Sequence, residues 1–363
     1  MSVNQTRLDW VDAAKGISII LVVMMHSAYG VGEDLGDIGI LHYVIGWASP
    51  FRMPEFFLIS GLFLAQVIDR PWRLYADRRV LHYIYFYALW VVLQVGFKVG
   101  LGTGDVGSAL AQVGWAVVEP YGVLWFIYML AVYSLVAKLL HTLKVPHWAA
   151  LLLGGGLMLA PIQTGYGLVG HFAAYFVYFY VGYVFAPRVF RIVEWAQRHV
   201  VLSTVALAGL SIVLAYLVFG GGVQMHPRGI EMGYAAFPPL HLLLGLAGSL
   251  AVCVTGGLLV QLPWMNWLRW LGEHSIVVYL SFSIPMAASR TLILKAGVLT
   301  DTSTVSILVM TIALVSPLVL YWLIRKTGWG RFLFERPAWA HLPGTAGSSA
   351  RKADAKAAAV PAE

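Results

Sequence analysis

The sequence predicts an all-α fold, a polytopic bundle of about ten transmembrane helices. Three observations carry that expectation. Of the 363 residues, 60% are hydrophobic and only 11% charged, whereas a soluble globular chain keeps about a quarter of its residues charged. Apolar runs able to cross a hydrocarbon core of about 30 Å, which takes about 20 helical residues, recur along almost the whole length. The runs are continuous rather than alternating, which points to helices that satisfy their own backbone hydrogen bonds and not to a membrane barrel.

The first span, 14–31, follows a stretch that is polar through Asp12 and has no small-residue cleavage site, so it is expected to be retained rather than removed as a signal peptide. The second, 46–68, contains "FRMPEFFLISG"; Pro54 removes a backbone donor, and such a break in lipid is tolerated where it lines a protein cavity. The third, 80–101, follows the basic stretch "DRPWRLYADRRVLHYIYF". The fourth, 122–140, begins in "YGVLWFIYML", whose aromatics suit a membrane interface. Spans 147–164, 168–187, 200–220 and 238–262 are read from apolar length, and the 220s are the least defined stretch. The ninth, 274–295, opens within "GEHSIVVYLSF", and the tenth is 303–324. The expected organisation is a cytoplasmic N-terminus at 1–13, a transmembrane domain at 14–325 and a cytoplasmic tail at 326–363. From about Pro337 the tail is low-complexity Ala, Gly, Ser and Lys, a composition expected to stay disordered.

Charge gives the orientation. With the N-terminus inside, inner segments collect Arg7, Lys15, Arg70, Arg73, Arg78, Arg79, Lys138, Lys144, Arg188, Arg191, Arg198, Arg269 and the basic tail. Outer loops keep Lys98, Arg228 and Lys295 beside the acidic Glu33, Asp34, Asp37 and Asp105. The positive-inside rule therefore places both termini in the cytoplasm, with the cytoplasmic (inner) membrane as the expected location. The net charge of +7 then reports topology and contact with anionic lipid, and nucleic-acid binding is not expected. Cys253 is the single cysteine, which excludes a disulfide framework and a thiolate metal site. No HExxH pair, phosphate-binding glycine loop or Gly-x-Ser-x-Gly elbow occurs, so neither a metal nor a resident cofactor is expected.

Candidate chemistry begins on the first helix. Asp12, Lys15, Ile19, Val22 and His26 share one face, and the eleven positions from Lys15 to His26 amount to about 16 Å along the axis. In a structural reading Lys15 snorkels to headgroups, Asp12 favours the helix N-terminus and His26 bonds a neighbouring helix. In a functional reading His26 is a proton acceptor, the commonest catalytic use of imidazole. Arg52 and Glu55 flank Pro54, either as a pair that offsets each other's desolvation or as part of a site. Arg70, Arg73, Arg78, Arg79 and His82 answer to the positive-inside rule, or to a phosphorylated ligand gripped by guanidinium forks. Trp125 and Tyr128 fit an aromatic belt or a ligand contact. Glu273, His274, Ser275 and Tyr279 read best as a helix start, and His171, His241 and Glu231 are scattered candidates.

Taken together, "DAAKGISIILVVMMH", "FRMPEFFLISG", "ADRRVLHYIYF", "LWFIYML" and "LGEHSIVVYL" resemble the acyltransferase type 3 membrane proteins over about residues 7 to 325. The resemblance implies a ten-helix enzyme that takes an acyl group, expected to be acetyl, from cytoplasmic acyl-CoA to a hydroxyl of an extracytoplasmic acceptor such as a glycan. Carried over by position, His26 matches the family's essential histidine, and Lys15 stands where many members have arginine. Arg79 and His82 fall where two arginines three apart are usual, Glu55 replaces an apolar residue, and Phe282 stands where many members have a second histidine. The implied substrate-binding set is Asp12, Lys15, Arg52, Glu55, Arg78, Arg79, His82 and Trp125, with His26 as general base or acyl relay. Arg78, Arg79 and Lys15 would hold the nucleotide end of acyl-CoA while the pantetheine arm reaches His26. The competing class is a transporter using His26, Arg52 and Glu55 as a proton relay or solute site, although no second copy of the "FRMPEFF" break marks an inverted repeat. An inactive membrane scaffold is the third reading.

Overall fold

The computed structural model describes residues 8–100, 105–162, 164–345 and 347–348. Among them the chain is helical almost throughout, and seven helices are long and apolar enough to cross a membrane, or eight if one bent pair counts as a single span. The expected ten resolve into those seven plus three segments that stop short or break.

Helix α1 (Asp9–Leu35) ends at Gly36, whose φ of 68° is the left-handed turn that releases the chain. Two short helices follow, α2 (Ile40–Ala48) and α3 (Arg52–Leu62), where one span over 46–68 was expected. The break falls at Ser49–Phe51, ahead of Pro54, because proline is tolerated in a first helical turn where its missing N–H needs no partner. Helix α4 (Trp72–Tyr75) continues through a π-helical turn, Ala76–Leu81, into α5 (His82–Gly100). Asp105 starts α6 (Val106–Trp115) by accepting the Ser108 N–H at 2.9 Å. Then come α7 (Trp125–Thr142), α8 (His147–Leu159), α9 (Gly167–Arg198) and α10 (Val200–Phe219), of which α8 is too short for the span expected at 147–164. The 220s form a hairpin of β1 (Gln224–His226) and β2 (Gly229–Glu231). Helices α11 (Pro238–Leu259), α12 (Asn266–Glu273), α13 (Ser275–Ser281), α14 (Ser283–Ala296) and α15 (Thr302–Thr327) complete the chain, with α13 and α14 bent by 55°.

The chain divides into two compact units, described separately. The first comprises Met1–Phe63, Leu151–Ile162 and Ala174–Val319. Its core is organised around α1, which lies against α12 at backbone distance: a Cβ on Gly272 would overlap the Asp12 carbonyl oxygen, and one on Gly16 the Leu268 carbonyl oxygen. Without a hydrophobic driving force between lipid-solvated helices, such small-residue crossings let backbones pack closely. Helices α3 and α9 cross in the same way through Gly61 and Gly182. By contrast α10 leaves Val201 79% and Ile212 71% exposed, a face suited to acyl chains rather than water.

The second unit comprises Leu64–Ala150, Gln163–Ala173 and Leu320–Glu363. Buried Lys138 on α7 donates to the Ile68 and Arg70 carbonyls, at 2.5 and 2.9 Å, and lies 5.6 Å from the Trp72 ring and 5.4 Å from that of Tyr75. The described part of the tail folds into two 3-10 turns, Arg331–Leu333 and Ala338–Ala340, because it has partners on α5: Tyr85 and Trp90 donate to the Phe332 and Leu333 carbonyls at 3.0 and 3.1 Å. Arg7, Arg351, Lys352 and Lys356 lie outside the described residues.

Candidate active site

In the first unit, α1 and α3 bring together His26, Arg52 and Glu55. His26 is half-buried, and among the described residues no hydrogen bond occupies either ring nitrogen. Its ring lies 5.4 Å from that of Phe282, which is fully buried. Arg52 opens α3 and lies close enough to act electrostatically on His26, Glu55 and Tyr175.

Arg52 and Glu55 do not form the self-cancelling pair that their spacing allows. No ion pair joins them; Nε and Nη1 of Arg52 and both carboxyl oxygens of Glu55 are buried without a hydrogen-bond partner. Ser18 is next to Glu55, yet its hydroxyl donates to the Ala14 carbonyl at 2.8 Å. Buried polar groups are normally satisfied, because leaving one unmade costs about 1–3 kcal/mol. The unmade bonds beside His26 therefore mark a place shaped for a polar partner, and the arrangement supplies an acceptor nitrogen, a guanidinium and a carboxyl group.

Further along the same helix Lys15 pairs with Asp12 at 3.3 Å, with Asp12 buried, and the ammonium lies 6.0 Å from the Phe63 ring. That geometry serves the structural reading for Asp12, while the Lys15 side chain keeps 35% of its surface exposed. In "GEHS", α12 ends at Glu273, His274 Nδ1 lies 2.8 Å from the Trp270 carbonyl and α13 opens at Ser275, so the motif closes one helix and starts the next. His241 is 3.2 Å from the Ala235 carbonyl, and exposed Glu231 sits on the hairpin 3.7 Å from His226. Both are local contacts.

The second unit holds the remaining candidates. Arg78 is exposed, Arg79 donates to the Tyr83 hydroxyl at 3.4 Å, and His82 packs between the Tyr83 and Phe86 rings at 5.8 and 5.0 Å. Trp125 stacks on His171 at 4.0 Å, and Tyr128 donates to the Val117 carbonyl. Glu119 accepts the Gly167 N–H at 2.7 Å, which ties the loop before α7 to the start of α9. A cavity of about 340 Å³ between α5, α6 and α7 is lined by Val80, Ile84, Val91, Val117 and their neighbours. Its polar lining groups are the Tyr87 and Tyr128 hydroxyls, which donate to the Ala116 and Val117 carbonyls at 2.7 and 3.0 Å.

Sequence reasoning missed Tyr175, which stacks on Phe57 at 5.4 Å beside Arg52, because α9 carries no motif at that point. It also missed His42, whose Nδ1 accepts the Gly39 N–H at 3.1 Å and whose Nε2 faces the Pro227 carbonyl; a histidine three residues after a glycine was the available signal.

A family profile described as "Acyltransferase domain" matches residues 8–326. The chain belongs to this acyltransferase family. The matched range of the acyltransferase domain takes in α1 with His26, α3 with Arg52 and Glu55, the basic turn and α15. The chain is also similar to the inner membrane protein YcfT of Escherichia coli (strain K12), with 28% identity over 169 residues, 40% of this chain and 47% of that protein. It thus matches about half the length of this curated relative. No solved structure matches.

Proposed function

We propose that this multi-pass membrane protein is an O-acyltransferase of the cytoplasmic (inner) membrane. It moves an acyl group, acetyl as the simplest case, from acyl-CoA on the cytoplasmic side to a hydroxyl of an extracytoplasmic acceptor such as a glycan. The observation that carries the reading is the unsatisfied polar cluster around His26, within the range matched by an acyltransferase family.

The chemistry follows from the groups. An alcohol becomes a competent nucleophile as its proton is withdrawn, and a neutral imidazole nitrogen with no other bond is suited to take it. The hydroxyl oxygen attacks the thioester carbonyl, its proton passes to His26, and the carbonyl oxygen gains negative charge. Arg52 is the cation at hand to stabilise that oxygen. Collapse breaks the carbon–sulfur bond, the ester forms, and coenzyme A leaves as the thiolate, to be protonated by the imidazolium or water. In the first unit Lys15 lies three turns from His26 on one helix, and in the second the arginines of the basic turn are by themselves suited to the donor's phosphates.

Membranes containing the protein, incubated with acetyl-CoA labelled in the acetyl group and with hydroxyl-bearing glycans, are expected to yield labelled ester. Label accumulating in vesicles without ester would replace the enzyme with a transporter. No fixation and no uptake would favour a scaffold.

A further inference from the structure

The basic stretch of the second unit carries four arginines and two acids, of which Asp69 is exposed and Asp77 is turned inward. Asp69 pairs with His141 at 3.1 Å. Asp77, only 1% exposed, is held entirely from the far end of the chain. Its Oδ1 pairs with Arg336 Nη2 at 2.6 Å and accepts the Leu342 N–H at 2.8 Å. Its Oδ2 lies 3.0 Å from His341 Nδ1, and Arg336 Nη1 donates to the Asp77 carbonyl at 2.6 Å. The Arg336 and Asp77 side chains are each 2% exposed.

A nearer partner was available. Arg73 and Asp77 are four residues apart, the spacing at which helical ion pairs form. Instead Arg73 and Arg78 are exposed, and among the described residues neither they nor Arg70 have a carboxylate partner. A free Asp77 would compete with any anionic ligand for these guanidinium groups. The π-helical turn Ala76–Leu81 widens the backbone where Asp77 turns inward, a distortion often found at functional sites.

We propose that Arg336 and His341 act as an electrostatic shield, positioning residues that withhold Asp77 so that Arg73 and Arg78 stay open to the phosphates of a nucleotide-bearing ligand. The inference rests on the reading that this turn holds the donor's nucleotide end, and it deepens that reading by naming what keeps the site cationic.

The test titrates the full chain in detergent with coenzyme A and, separately, pyrophosphate, by calorimetry. R336A is expected to weaken both probes about tenfold, the scale of one charge-assisted bond, because Asp77 turns to Arg73. D77N should bind as wild type, R336K should retain binding, and D77N/R336A should recover it to within about twofold. Wild-type affinity in R336A, or a double variant as weak as R336A, would overturn the shield and leave Arg336 a mere scaffold. Wild-type protein that binds neither probe would overturn it too. If pyrophosphate follows the pattern while coenzyme A binds nowhere, the shield stands and the donor reading falls.

Discussion

Glu55 offers a test in which stability and activity move in opposite directions. The residue is fully buried, and neither carboxyl oxygen has a partner. Each unmade bond of a buried polar group costs about 1–3 kcal/mol. Glu55→Gln keeps the shape and supplies donors, and Glu55→Leu removes the polar demand while conserving most of the volume. Glu55→Leu is therefore expected to raise stability by about 1–3 kcal/mol, since it deletes an unsatisfied group without breaking a bond. Acyl transfer should fall, because the group lies in the Arg52 and His26 cluster. Unfolding of the detergent-solubilised protein, followed by intrinsic fluorescence, reads the first effect, and ester formation from labelled donor reads the second. Destabilisation by Glu55→Leu together with full activity would refute the reasoning, because it would mean that the carboxyl group serves packing rather than a ligand.

Three further outcomes follow from the same geometry. Gly272→Ala should push α12 from α1 and cost about 1–3 kcal/mol, because the added methyl overlaps the Asp12 carbonyl; an unchanged melting profile would contradict the backbone crossing. Lys138→Met should lower stability by about 1–3 kcal/mol through two carbonyls left unbonded, read as a shifted thermal midpoint. Asp301 accepts the Thr304 N–H at 2.7 Å, and hydrogen bonds from Thr304 hold its carboxylate below the usual range. Its contribution to the start of α15 is therefore present at neutral pH and lost as pH falls through the depressed value. Asp301→Asn should flatten that part of an acid-stability profile.

Hydropathy and length made the helical membrane fold legible, because lipid leaves the backbone few alternatives. The same criterion could not see where an expected span is broken, bent or shortened, as in three of the ten segments. The segment expected as one span over 46–68 breaks at Ser49–Phe51, and α13 and α14 bend between Ser281 and Ser283. His26 stood out because an imidazole in an apolar helix is costly. The neighbourhood of Phe282 was not readable from its own segment, since ring contact with His26 joins positions far apart in the chain. The reading of Arg52 and Glu55 as a mutually neutralising pair rested on spacing, which says nothing about rotamers; the structure leaves no ion pair between them. Asp77 and Arg336 are 259 residues apart, so no local pattern could announce their pairing.

The most direct measurement compares single-turnover ester formation by wild type, His26→Ala and His26→Gln, at matched thermal stability and membrane content. Loss of a positioned general base is expected to slow the chemical step by about 10²–10⁴-fold in both variants, with donor affinity unchanged. Transfer at the wild-type rate without the imidazole would contradict the account.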